Sequence, residues 1–193
     1  MYTPWGYETE TLPPLLSEAE YNQATGNAHA GDPRLSIALD AASAAIRNEC
    51  GWHIAPSLDC KVTLSCRGKV AHLPARAVTA INSVTENGEE LSAGAYEARQ
   101  DGLLRRACFR EWTRNWGGVV VEYTAGYDDL PDLKAAAMHL VEAALAIPQG
   151  VASESAGGVS ISYATQAATV TTSMVGGMRS ALAPYRLVVA HAT

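Results

Sequence analysis

The sequence predicts an α+β fold in which a small antiparallel sheet is inserted between helices and an extended arm and tail follow. Three observations carry this expectation. Apolar residues recur at helical spacing over residues 35–50 and again over 133–147. Between these segments, over about residues 60–123, the period drops to two and short glycine turns appear. Beyond Glu154 the chain has no acid and turns to Gly, Ser, Thr and Ala. A chain of 193 residues buries roughly 70% of its unfolded surface on folding. With 48% hydrophobic and 18% charged residues, it has the material for a packed core. The expected division is an extended segment over 1–16, a core over 17–147 with the β insertion at about 60–123, and residues 148–193 holding the arm, a last helix and the tail.

The opening is extended and punctuated by proline until Ser17. Ser17-x-x-Glu20 is a capping box, so a short helix is expected from Glu18 to Thr25, stopped by Gly26. Asp32 caps a longer helix and Pro33 suits its first position; Leu35, Leu39, Ala42, Ile46 and Cys50 form its stripe, and Gly51 is its left-handed stop. Ala38, Ala41 and Ala45 give that helix a small face open to close approach by a neighbour. Cys60, Val62, Leu64 and Cys66 alternate with polar residues, and Arg67-Gly68 turns the chain into Val70, His72 and Pro74. Val78–Glu86 is a strand closed by Asn87-Gly88, a strong hairpin signal. Tyr96–Arg99 and Leu103–Arg106 flank Asp101-Gly102 in the same manner, and Val119–Tyr123 is a buried strand. The next helix starts near Pro131 with the stripe Leu133, Ala137, Leu140, Ala144 and Ile147, ending at Pro148 and Gly150. A flexible stretch, SESAGG, leads to the alternating arm Val159, Ile161 and Tyr163. A weaker helix is expected from about Thr172 to Ala183, interrupted by Gly176-Gly177.

Composition excludes several classes. A net charge of −6 lacks the basic footprint that counterion release demands of a protein gripping nucleic acid. The longest uncharged stretch, Ser155–Met178, is too polar to enter lipid, so no membrane partner is expected. The acids in MYTPWGYETETLPP stand where a signal peptide carries bases, and four cysteines are too few for a disulfide scaffold; both point to a reducing cytoplasm.

No catalytic, cofactor or metal residue is assigned. Cys50-x-x-His53 has useful ligand spacing, but Cys60, Cys66 and His72 do not supply a second tight couple. Cys60 and Cys66 share strand parity and are expected to face the core. No nucleophile elbow, phosphate loop, GxGxxG or HExxH is present. His139 is expected to be partly buried, and Asp128, Asp129 and Asp132 to serve helix capping. Trp112 and Trp116 suit a loop packed on the sheet better than base stacking. The rival reading from another class is a small cytoplasmic enzyme or ligand-binding domain using the Cys50/His53 region.

Charge is unevenly placed. Before Arg34 there are five acids and no base, whereas residues 99–114 hold five arginines against Asp101 and Glu111. An assembly that stacks acidic on basic surfaces would use this separation, with Arg105, Arg106 and Arg110 meeting Glu18 and Glu20 of a neighbour. Val159, Ile161 and Tyr163 would add an edge strand to a neighbour. The apolar tail Tyr185, Arg186, Leu187, Val188 and Val189 either packs on the chain's own helices or is buried in a partner.

The order of motifs resembles a known family. Asp32-Pro33-Arg34, LDAASAAIRNECGWHIAP, Leu73-Pro74-Ala75, VTAINSVTENGEEL, YEARQDGLLRR, VVVEYTAGYDDLPDLKAAAMHLVEAAL, GVSISYA and LAPYR follow one another as in the head-to-tail adaptor (connector) proteins of long-tailed double-stranded-DNA bacteriophages. The resemblance covers about residues 15–187, and YTAGY followed by Pro131 is its most telling passage. It implies a helical bundle carrying a β insertion, assembled as a ring, commonly twelve-fold, in the virion neck between head and tail. The implied partners are the portal protein, a head-completion or tail component, other copies of the chain, and double-stranded DNA passing through the lumen without specific binding. No enzyme activity and no cofactor are implied. The resemblance also favours the portal as the partner that receives Tyr185–Val189. Gly176-Gly177 departs from the family pattern and blurs the bounds of the last helix.

Overall fold

A computed structural model of the chain describes residues 1–146 and 180–187, together with the backbone of 153–156 and 159–162. The fold is α+β, and the chain divides into two compact units. One comprises Met1–Pro13, Cys50–Leu130 and Tyr185–Thr193; the other comprises Pro14–Glu49 and Pro131–Pro184.

The helical unit begins with α1 (Glu18–Thr25), whose reciprocal capping box and left-handed Gly26 stop are those expected from Ser17-x-x-Glu20. Glu20 also receives Lys134 Nζ at 2.8 Å. The hydrogen bonds from Lys134 and Ser17 hold its carboxyl at about 2, well below the usual glutamate value. Helix α2 (Leu35–Cys50) buries the whole expected stripe, Leu35, Leu39, Ala42, Ile46 and Cys50. Ala38 is buried, but Ala41 and Ala45 are exposed beside Ile37, which is 70% exposed. Ser43 Oγ accepts from the Leu15 amide at 2.9 Å and ties the incoming segment down.

Helix α3 (Pro131–Leu145) corrects the expected stripe. It buries Leu133, Ala136, Ala137, Val141 and Leu145, while Ala144 and His139 are exposed. Apolar residues cover almost the whole circumference of this helix, so two stripes compete, and the one carrying Val141 and Leu145 fills the core. Ile147 lies outside the described residues.

The sheet unit holds two sheets where one was expected. The larger has the order β1 (Tyr7–Thr9), β2 (Leu58–Leu64), β8 (Val119–Ala125), β4 (Val78–Glu86) and β5 (Glu89–Glu90), antiparallel throughout. The smaller has the order β3 (Val70–His72), β7 (Leu103–Arg106) and β6 (Tyr96–Ala98). Both edges of β2 are taken, by β1 and β8, so the chain leaving Arg67-Gly68 pairs with β7 instead. The residue 1–16 segment likewise departs from a purely extended entry, because Tyr7 seats on Val62 as the sheet edge. Asn87-Gly88 turns the β4–β5 hairpin at positive φ in both residues. Strands β9 (Ser153–Ala156) and β10 (Val159–Ser162) pair antiparallel, so part of SESAGG is strand. Residues 180–182 are helical and run into a 3-10 turn at Ala183–Tyr185; the rest of the last helix expected over 172–183 lies outside the described residues.

Alternation decides which face of the large sheet is core. Thr9, Cys60, Val62, Val119, Val121, Tyr123 and Val84 are buried, whereas Glu8, Lys61 and Asp59 are exposed. Burial pushes the Cys60 and Cys66 thiols up to about 11, so neither is a thiolate at neutral pH. The small sheet is clamped to the large one by a shielded ion pair. Arg106 meets Glu86 at 2.9 Å with side chains 9% and 12% exposed, donates to the Ala95 carbonyl, and lies over the Trp112 ring. Glu86 also accepts the Thr113 amide at 2.7 Å.

Breaking a shielded pair leaves an uncompensated charge, so Arg106→Ala is expected to lose roughly 3–5 kcal/mol in denaturant unfolding. Arg106→Met combined with Glu86→Gln should lose less. The pH dependence has a defined sign. Glu20 titrates at about 2 when folded against 4.5 ordinarily, so its contribution is present above 4.5 and disappears as pH falls toward 2. The pair is partly exposed, and screening keeps its contribution to ~1 kcal/mol or less. Glu20→Gln should flatten that part of the acid limb in a series of denaturation midpoints.

Candidate functional site

Gly51, at φ +79°, ends α2 and throws Trp52, His53 and Ile54 into the interior of the sheet unit, where all three are fully buried. The His53 imidazole bridges two strands. Its Nε2 lies 2.9 Å from the Ala125 carbonyl at the end of β8. A carbonyl only accepts, so Nε2 carries the proton and Nδ1 accepts from the Tyr7 hydroxyl of β1 at 2.8 Å. The same hydroxyl accepts the His53 amide at 3.0 Å. Both ring nitrogens are thereby engaged. Gly126 (φ +122°) passes so close that a Cβ would stand 2.5 Å from the Pro56 carbonyl oxygen and 3.0 Å from His53 Nε2.

This core is also the seat of the tail. Trp52 Nε1 donates to the Tyr185 carbonyl at 2.7 Å, and the Leu187 amide donates to the Cys50 carbonyl at 2.8 Å. Arg76 donates to the Arg186 carbonyl at 3.0 Å. The Tyr185 ring meets Tyr127 edge-on at 5.9 Å, and Tyr127 packs against Trp52 at 6.1 Å. Leu187 lines an apolar cavity of about 590 Å³ with Trp5, Leu73, Pro74 and Leu103. Residues 185–187 therefore form a strap on the sheet unit, with the Arg186 side chain exposed. These three residues of the tail dock on the chain itself, on Trp52, Arg76 and Tyr127 of the sheet unit and on Cys50, the last residue of α2. Val188 and Val189 lie outside the described residues.

The remaining assembly residues are scattered. Arg106 pairs with Glu86 within the sheet unit, and Glu20 with the α1 cap and Lys134 within the helical unit. Arg105 is exposed and bonded to Glu97; Arg110 and Glu18 are exposed. Val159 and Ile161 fall on β10, and Tyr163 lies outside the described residues. Trp112 is buried as a loop anchor, whereas Trp116 is 90% exposed. Sequence reasoning missed Phe109, the chain's one phenylalanine, which is 73% exposed; its place among arginines was the available signal. It also missed Tyr7 as the partner of His53, which no local pattern announces.

A family model described as head completion protein matches residues 14–188. No curated protein matches the chain. Among solved structures, a chain in the neck of a native GTA particle computed with C12 symmetry superposes with a TM-score of 0.62 at 18% identity, covering 97% of this chain and 98% of that one. A chain in the neck of an empty GTA particle computed with C6 symmetry gives 0.59 with the same identity and coverage. One in the virion of a native gene transfer agent particle gives 0.62, again at 18% identity and with 97% and 98% covered. At this identity the likeness is one of fold.

Replacing Trp52 by Phe keeps the ring packing and removes the donor to Tyr185, so a loss of about 1 kcal/mol is expected. That corresponds to a drop of about 2–4 °C in melting temperature by calorimetry. Gly126→Ala should cost more than Trp52→Phe in the same measurement, because the neighbours of its Cβ are backbone.

Proposed function

The chain belongs to the head completion protein family, and from that premise we propose that it is a structural protein of a phage-like particle, built into the neck between head and tail. The observation that carries the reading is the family match over residues 14–188, joined by the likeness of fold to chains of GTA necks over 97% of the sequence. The role is structural rather than catalytic, since His53, the residue on which the rival reading turned, is engaged at both ring nitrogens by Tyr7 and Ala125.

In this reading the chain forms a ring of about twelve copies. The C12 and C6 symmetries of the GTA necks support a ring without fixing its number for this chain. The helices form a bundle carrying the sheet unit, and the ring continues the DNA channel beneath the portal. The portal is met by the C-terminal tail, with Arg186 and the residues after Leu187 as the contacting part. Residues 185–187 then act as the root from which that part extends. The β9–β10 hairpin, carrying Val159 and Ile161, serves as the arm toward a neighbouring copy; two strands alone are marginal in water and gain from an added partner. Arg105, Arg110 and Glu18 stay available for lateral contact.

Electron microscopy of particles made with and without the chain tests the reading. The expected result is a ring of density between head and tail that disappears, with loss of tail joining, when the chain is absent. Tailed particles with an unchanged neck would refute it. A chain ending at Leu187 should remain folded yet fail to join heads to tails in complementation.

A further inference from the structure

Phe109 is held out in water by a backbone that an L-residue seldom adopts. Cys108 and Phe109 both lie in the left-handed region, at φ +54° and +57°, within the 3-10 turn Ala107–Phe109. The ring is 73% exposed and flanked by cations, with Lys69 Nζ 5.6 Å and the Arg105 guanidinium 5.7 Å from its centroid. Arg110 follows directly and is also exposed. Lys69 and Arg110 enter no ion pair among the described residues. Strained positions that aim a large apolar side chain outward persist where that side chain has a use.

The same unit carries a surface of opposite character. The outer face of the large sheet runs Glu8, Lys61, Glu122 and Ser83 across its strands. It forms a depression of about 450 Å³ in which the four acids Glu8, Glu10, Asp59 and Glu122 outnumber Lys61 and the Met1 ammonium. Lys61 is already paired with Glu122, and Glu8 and Glu10 enter no ion pair among the described residues. The exposed Met1 side chain adds an apolar contribution to the rim.

We propose that Phe109, with Lys69 and Arg110, is the knob of a head-to-tail contact whose socket is the acidic sheet face around Glu8 and Glu10 of a second copy of this chain. Two different surfaces of one chain meet, so the contact is heterologous, the kind that builds a ring where its rotation closes. The inference rests on the neck-ring reading and gives that ring a lateral contact. Charge complementarity selects a second copy over DNA, because three cations around one ring are a small footprint on a chain of net charge −6.

Cys108 is the exposed one of the four cysteines, which makes it a native probe beside the knob. The full chain carrying Glu10→Cys is treated with a short bismaleimide, both as concentrated free protein and within purified particles. The expected product is a ladder of dimers, trimers and higher species that needs both thiols and is absent from Glu10→Cys combined with Cys108→Ser. Adding Phe109→Ala or Lys69→Glu should cut the ladder about tenfold, and adding Glu8→Lys to the Lys69→Glu chain should restore it. Rings seen in necks without a ladder overturn this contact and leave the neck reading standing. Monomers in both samples with no ring in the neck overturn both. A ladder indifferent to Phe109→Ala and Lys69→Glu overturns the knob, as does retention of double-stranded DNA that Phe109→Ala abolishes while the ladder persists.

Discussion

The sheet unit depends on the two hydrogen bonds of one imidazole. His53 accepts from Tyr7 and donates to Ala125, and it joins the edge strand, the segment leaving α2 and the end of the central strand at one buried point. A buried polar ring is costly unless each nitrogen is satisfied, and here both are, by groups distant in sequence. Trp52, next in the chain, extends the junction to the tail through its indole N–H. Gly126 completes it, because no side chain fits between Pro56 and the imidazole. Strand order, tail position and the close approach of the two loops all follow from placing this ring.

Much of the architecture was legible because local chemistry and tertiary need agree. Ser17 and Glu20 cap α1 by a mechanism confined to four residues, and Asn87-Gly88 turns a hairpin whatever surrounds it. The stripe of α2 is read correctly because Leu35, Leu39 and Ile46 contrast with polar neighbours. In α3 that contrast is missing, so the buried face was decided by its surroundings, and His139 went with the exposed side. The partition into two sheets was not legible, since it depends on β1 occupying an edge that β3 would otherwise take. A three-residue strand after a proline and a glycine gives no periodic signal.

The candidate interface was less legible than the fold. Counting charge located a basic stretch but could not tell a shielded arginine from an exposed one. Arg106 turns inward to Glu86 and Trp112 because β7 alternates, while Arg105 turns outward beside Phe109. The apolar tail was recognised as needing a cover. What the sequence could not convey is that its first residues find that cover at Trp52 and Tyr127 through main-chain bonds, which side-chain patterns do not encode.

The sheet unit is drawn from three separate stretches of chain, the last of which begins at Tyr185. During synthesis every strand of the two sheets is made before the strap that closes over Trp52, so the indole N–H and the Cys50 carbonyl wait for residues 185–187 to leave the ribosome. Contacts of such sequence separation form late and slowly. Ordering of residues 185–187 is thus coupled to completion of the sheet unit. A nascent copy that stops short of residue 185 lacks the main-chain bonds by which the strap closes over Trp52.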